Sequence, residues 1–154
     1  MKLISKNSKL NLRPSITCKP KDSLELVKFI KQRVDKRGWD CDLNDIDVSG
    51  IKKFIDIFAT DTWFDLSNFD GDISFWDVSK GTHFTRMFRG SKFTGKNSNL
   101  KQWNLSHGKR FGGMFYESAF NSDISNWEIK EDADTHDMFT KCPIEEKYKP
   151  KGVK

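Results

Sequence analysis

His83, His107 and His136, the thiols of Cys18, Cys41 and Cys142, and the carboxylates Asp40, Asp42, Asp45 and Asp47 are the groups in this chain best suited to acid–base, thiol or metal chemistry. Catalysis needs such groups within hydrogen-bond reach of one another. The three histidines fall at offsets ten, seven and twelve of an internal repeat, so the repeat does not bring them together. There is no HExxH, no P-loop and no GxSxG. The stretch from Asp40 to Asn44 opens like an EF-hand loop, but Asp45 stands where that loop needs Gly and Ile51 where it needs a bidentate Glu. The four aspartates therefore read as the solvent side of the first repeat unit. Three cysteines with no CxxC pair read as free thiols, the best case for reactivity being Cys142 beside Lys141. The expectation is a protein that is no enzyme and that uses no cofactor and no metal.

What must position these groups is the repeat. From Ile73, Leu100 and Ile124, an aliphatic residue is followed three later by Trp, five later by Val, Leu or Ile, and fourteen and fifteen later by Met-Phe. A weaker copy upstream has Leu43, Ile46, Val48, Phe54, Ile57 and Phe58 at the same offsets, with Ile46 in place of Trp. The leading aliphatics are separated by 30, 27 and 24 residues, and the extra length falls after Phe58 and between Phe93 and Leu100, as loops would. A period in the twenties with apolar residues in fixed register predicts units that bury their faces only by stacking on one another. Within a unit, the Trp-x-Val-Ser segment predicts a short extended stretch, and FTRMF or FGGMF one to two turns of helix.

Phe69, Asp72, Ile73, Trp76, Asp77, Val78, Ser79, Met87 and Phe88, and again Phe120, Asn121, Asp123, Ile124, Trp127, Met138 and Phe139, resemble the BspA-type leucine-rich repeat. The consensus of that family reads close to FNxDISxWDVSNVTxMxxMF, and the likeness covers about two thirds of the chain. It implies an α/β fold, a short leucine-rich-repeat-like solenoid of about four units with an N-terminal capping helix. It also implies a role in binding, since the family is known mainly for bacterial surface proteins that engage other macromolecules. The core would hold Trp76, Trp103, Trp127, Phe88, Phe115 and Phe139. One departure stands out. The second Val of the consensus is Gly81, Gly108 and Asp132 here, which leaves voids of about 1 kcal/mol each unless Phe54, Phe84 and Phe111 close them. Thr135 replaces that Phe in the last unit, as a terminal unit with a polar exterior requires.

The resulting division is an arm and capping helix over 1–42, repeats over 43–142 and a basic tail over 143–154. Asp22 with Glu25 marks the start of the helix and Gly38 its stop. Leu26, Phe29, Ile30 and Val34 share one face, while Lys28, Lys31, Arg33 and Lys36 face water. Leu10, Leu12 and Ile16, punctuated by Pro14 and Pro20, predict an extended arm at an edge. The N-terminus has no apolar run of signal-peptide length, Cys18 has no lipobox and no segment is long enough to span a membrane, so a cytoplasmic protein is expected.

The net charge of +5 divides into +8 over residues 1–37, −6 over 38–140 and +3 over 141–154. The basic ends read as solvated, partly disordered tails, with phosphate contact as the alternative. Function is sought where the units differ. Phe75 stands before the repeat Trp where other units carry polar residues, and Arg89 and Tyr116 follow Met-Phe. Arg86, Lys109 and Arg110 are cations peculiar to their units, and Trp63 and Phe64 arrive with the longest insertion. Tyr, Trp and Arg are the residues that most often anchor interfaces. These eight form the expected partner-binding set. They suit an intracellular inhibitor or adaptor that occupies another protein's surface, as in phage or mobile-element counter-defence. The alternative is nucleic-acid binding by the basic termini and basic repeat positions, which would need aromatics beside the cations. No membrane partner is expected.

Overall fold

The computed structural model describes residues 14–153. The expected α/β solenoid class is not what the chain adopts. Among the described residues there is one α-helix, α1 (Ser23–Arg37), two three-residue 3-10 turns (Leu100–Gln102 and Glu146–Tyr148) and no strand or sheet. Parallel pairing is confined to single residues: Cys18 with Ile46, Asp42 with Asp72, and the series Lys53, His83, Arg110, Asp134.

The backbone explains why neither strands nor helices form. Three residues beyond each member of that series, the chain enters the left-handed region, at Asp56 (φ 58°), Arg86 (52°), Gly113 (62°) and Asp137 (51°). One such residue ends an extended run and is equally foreign to a right-handed helix. FTRMF is accordingly two overlapping turns, closed by Met87 N–H to the Phe84 carbonyl (3.2 Å) and Arg89 N–H to the Arg86 carbonyl (3.1 Å). The Trp-x-Val-Ser segment is likewise turns, with Trp76 N–H on the Ile73 carbonyl and Gly81 N–H on the Val78 carbonyl.

Alternate N–H groups leave the unit altogether. Phe84, Arg86, Phe88 and Gly90 donate to Arg110, Gly112, Met114 and Tyr116 at 2.7–3.0 Å. Phe54, Asp56, Phe58 and Thr60 do the same to His83, Thr85, Met87 and Arg89. Side chains at equal offsets therefore lie over one another. Phe54, Phe84 and Phe111 stack at 5.3 Å within 4° of parallel. Phe58, Phe88, Phe115 and Phe139 follow at 5.2–5.6 Å, and Phe69, Phe93 and Phe120 at 5.9–6.1 Å.

Each repeat Trp spans two units. Trp76, Trp103 and Trp127 donate Nε1–H to the carbonyls of Leu43, Ile73 and Leu100 at 3.0, 3.1 and 2.6 Å. A buried indole needs such an acceptor. Ile46 in the first unit has no preceding unit to supply one, and the arm meets it instead through Cys18. Phe84 and Phe111 close the space at Gly81 and Gly108, so neither glycine leaves a void. A Cβ on Gly81 would lie 2.4 Å from Phe84 Cζ, and one on Gly108 2.2 Å from Phe111 Cζ. The rings occupy that space and leave room only for glycine.

Asp22 caps α1 by accepting from Glu25 N–H (2.8 Å), and Glu25 returns the contact by accepting from Lys21 N–H (2.7 Å). Leu26, Ile30 and Val34 are buried against the first unit. Arg33 was expected in water. It turns inward, 3.1 Å from Asp45, which Arg37 and the Thr17 hydroxyl also reach. Asp45 is thus buried rather than on the solvent side. Leu10 and Leu12 lie outside the described residues. The C-terminal segment, expected to be solvated, packs onto the last unit with Ile144 and Val153 buried, and the Tyr148 carbonyl accepts from Ile124 N–H at 3.0 Å.

Candidate functional site

Because the units stack in register, their differing residues form rows. The first row is Lys53, His83, Arg110 and Asp134, at the parallel bridges. The second is Asp56, Arg86, Gly113 and Asp137, at the left-handed position. The third, three residues further on, is Ala59, Arg89, Tyr116 and Thr140.

The first row with its neighbours Lys52 and Lys109 makes a basic shoulder. Lys52, Lys53, Lys109 and Arg110 are exposed, and among the described residues none of them forms an ion pair. His83 Nδ1 lies 2.8 Å from the Thr82 hydroxyl. Partial burial and the charges of Arg110, Lys53 and Lys109 hold this imidazole below its ordinary pKa. The shoulder stops at Asp134, whose carboxyl is lowered by its bond to His136 (Nδ1 to Oδ1 2.7 Å); that bond raises His136 in turn.

Beside the shoulder, Gly112 and Gly113 floor a hollow of about 320 Å³ walled by Arg86, Arg89 and Tyr116 on one side and His136 and Asp137 on the other. Arg86 leans away from the hollow in a bidentate pair with Asp56, with both contacts at 2.9 Å. The absence of a side chain at Gly113 opens the space beside it. The Tyr116 ring lies between two cations, Arg89 Cζ and Lys141 Nζ, each 6.0 Å from its centroid, and Lys141 also pairs with Glu117.

Of the eight residues expected to bind a partner, the structure gathers Arg86, Arg89 and Tyr116 around the hollow and sets Lys109 and Arg110 on the adjoining shoulder. Phe75 is elsewhere, half-buried in a separate depression with Ser74, Asp77, Gln102 and Asn104. Trp63 and Phe64 lie at a third place, beside Leu24, Val27 and Ile57. They also part company there: Trp63 is 94% exposed, while Phe64 packs against the core. The residues expected in the core are there, Trp76, Trp103, Trp127, Phe88, Phe115 and Phe139 being at most 5% exposed.

Sequence reasoning missed the role of Gly112 and Gly113 as the hollow's floor, although the doublet interrupts a unit otherwise filled by side chains. It also missed the Asp-x-Ser pairs. Asp72, Asp77 and Asp123 each accept from the N–H and hydroxyl of the Ser two residues on, which closes the turns on either side of Trp. Burial raises the pKa of all three thiols. Among the described residues no cluster of three or more His, Cys, Asp or Glu converges to hold a metal, and no helix is long and apolar enough to cross a membrane.

Fold and site together define a stacked-turn repeat protein whose recurring side chains are buried and whose unit-specific side chains form exposed rows. Residues 29–149 match the family described as Mycoplasma protein of unknown function, DUF285, and the chain belongs to that family. No curated protein and no solved structure matches it.

Proposed function

We propose that this chain is a protein-binding module, an inhibitor or adaptor that covers part of another protein with the face formed by the hollow and the basic shoulder, and that its repeats are of the BspA type. The observation that supports this most is the convergence of Arg86, Arg89 and Tyr116 around an unfilled hollow floored by two glycines. A planar cation and an aromatic ring beside a recess are the anchors that interfaces use. The reading of the chain as a binding protein rather than an enzyme rests on the same surface.

The test exploits the backbone. Gly113 shares its left-handed conformation with Asp56 and Asp137, so Asn is tolerated there and fills the hollow. Affinity capture from a nuclease-treated bacterial lysate should recover a stoichiometric partner with the native chain. It should lose that partner with Gly113→Asn and with Arg89→Ala/Tyr116→Ala. Retention of the partner by both folded variants would overturn the assignment of the face.

A second reading, nucleic-acid binding, draws on the unpaired cations of the shoulder. It predicts a steep fall of affinity with salt and loss on replacing Lys53, Lys109 and Arg110. Two features favour the protein reading. Tyr116 is already flanked by its own cations rather than open beside the shoulder, and the row meets the Asp134 carboxylate after three units.

A further inference from the structure

The basic shoulder differs from the other exposed rows in carrying charge that the chain itself does not answer. Arg86 of the second row is paired with Asp56, and Tyr116 of the third lies between Arg89 and Lys141. Lys52, Lys53, Lys109 and Arg110 are exposed and form no ion pair among the described residues. The carboxylates that border them are committed elsewhere. Asp56 is held by Arg86, and Asp22 and Glu25 by the N–H groups at the start of α1. Asp134 feels Arg110 but is bonded to His136. His83, in the middle of the row, registers the imbalance. Besides partial burial, what lowers its pKa is the charge of Arg110, Lys53 and Lys109, and no carboxylate opposes them.

The backbone adds two donors at one end of the row. In the second unit the Thr82 and His83 N–H groups share the Lys52 carbonyl, at 2.8 and 3.3 Å, and in the third the Lys109 and Arg110 N–H groups share the Thr82 carbonyl, at 2.8 and 3.1 Å. The equivalent pair in the first unit, Lys52 and Lys53, has no preceding unit to supply a carbonyl and finds no acceptor among the described residues. A depression of about 260 Å³ lies there, lined by Lys21, Asp22 and Ser23 and by Lys52 and Lys53 themselves. An anionic oxygen set before this pair would accept from both, as the shared carbonyl does in the later units.

Length and ending decide what kind of anion fits. Bridged residues of successive units lie about 4.8 Å apart, so Lys53, His83 and Arg110 extend over about 10 Å. An extended segment rises about 3.3 Å per residue, and acidic side chains at alternate positions fall within that length. A longer polyanion following the row meets Asp134, with exposed Glu131 and Asp132 in the same unit. No ring is open among the cations for bases to stack on, since Phe54, Phe84 and Phe111 are fully buried. The chain does not supply the segment itself. Its first thirteen residues contain four Lys or Arg and no Asp or Glu, and the carboxylates that the last unit of a second copy would offer are balanced by Lys130, Lys141, Lys149 and Lys151.

We propose that the shoulder is the docking site for a short, extended acidic segment of the partner protein, one carboxylate accepting from the Lys52 and Lys53 N–H groups and the next pairing with Lys109 and Arg110. This rests on the reading of the chain as a protein-binding module and adds the chemistry that its partner presents.

The test is an NMR titration of the isotope-labelled full chain at about 50 mM salt. The probes are a capped acidic peptide, GEDEDEG, its neutral counterpart GQNQNQG, and an oligothymidylate whose phosphates equal the carboxylates of the acidic peptide in number. The acidic peptide should shift the Lys52 and Lys53 amides downfield and raise the His83 pKa, saturating with a Kd below about 1 mM. The neutral peptide should do neither. Lys53→Glu and Arg110→Glu should each weaken the acidic peptide about tenfold or more, whereas Gly113→Asn, which fills the hollow, should leave its affinity unchanged. The absence of a saturable shift at Lys52, Lys53 and His83, or equal binding of the neutral peptide, would overturn the acidic segment. Tighter binding of the oligothymidylate would overturn it in favour of nucleic acid. Partner capture from lysate is tested through the hollow, so loss of the acidic peptide with capture intact separates failure of the segment from failure of the protein-binding reading.

Discussion

The two sides of each unit are joined to their neighbours by different chemistry. On the side carrying Trp, residues 74–80 make no backbone bond to another unit, and side chains do the joining. Trp76 and Trp103 reach back with their indoles, Asn44 Oδ1 accepts from Phe75 N–H and the Ser74 hydroxyl accepts from Asn99 N–H. On the side carrying Phe-x-x-Met-Phe, the backbone joins the units at every step, and outward side chains add only the Arg86–Asp56 and Lys141–Glu117 pairs among those described above. Side-chain identity is thus constrained by structure on the first side and released on the second. That release is why Lys53, His83, Arg110, Arg89 and Tyr116 can differ from unit to unit, and why Phe75, for all its oddity in sequence, lies away from the other candidates.

The largest effect should come from breaking the stack itself. Phe88 is fully buried and stacks on Phe58, Phe93 and Phe115, so Phe88→Ala should cost about 3–5 kcal/mol in denaturant unfolding. Gly81→Val restores the consensus residue yet should destabilise by about 1–3 kcal/mol, since Phe84 fills its space. Adding Phe84→Met should recover much of that loss, and additive effects in the double-mutant cycle would contradict the swap. Trp103→Phe removes the indole bond between units and leaves the Ile73 carbonyl with Trp76 N–H alone, and Ser74→Ala strands the Asn99 N–H. Each should cost about 1–3 kcal/mol. By contrast Lys53→Ala, Lys109→Ala and Arg110→Ala should each stay within about 0.5 kcal/mol. Losses as large as those at Ser74 would erase the distinction between the two sides.

The smallest effect is one of pH. His83 should titrate below the ordinary histidine value and move back up in Arg110→Ala, as read from its imidazole shifts by NMR. Its folded pKa lies below the unfolded one, so between the two the unfolded chain binds more protons. This site therefore lowers stability as pH falls through that interval.

The repeat register was legible in sequence because the apolar residues are set by stacking, and the separations of 30, 27 and 24 reappear in the hydrogen-bonded rows. So were the ends of α1, where Asp22 and Gly38 carry local signals. The class was not legible. A Phe-x-x-Met-Phe run has the spacing of a helix, and only the left-handed Asp56, Arg86, Gly113 and Asp137 turn it into single-residue pairing. Asp and Gly at two or more of those places were the available hint, but Arg86 hid it. The site was half legible. Arg86, Arg89 and Tyr116 announced themselves by residue type, whereas the hollow is made by the missing side chains of Gly112 and Gly113, and the face on which Phe75 lies depends on turns that composition does not reveal.

The parallel rings have a further consequence for how such a gene can change. Phe58, Phe88 and Phe115 offer one another nearly identical faces, and the added length of the longer units leaves these rings in register. An in-frame duplication or deletion of one whole unit would therefore rejoin surfaces that already match. Recombination between repeats, usually ruinous to a folded domain, would here shorten or lengthen the exposed rows while leaving the packing of every remaining unit intact.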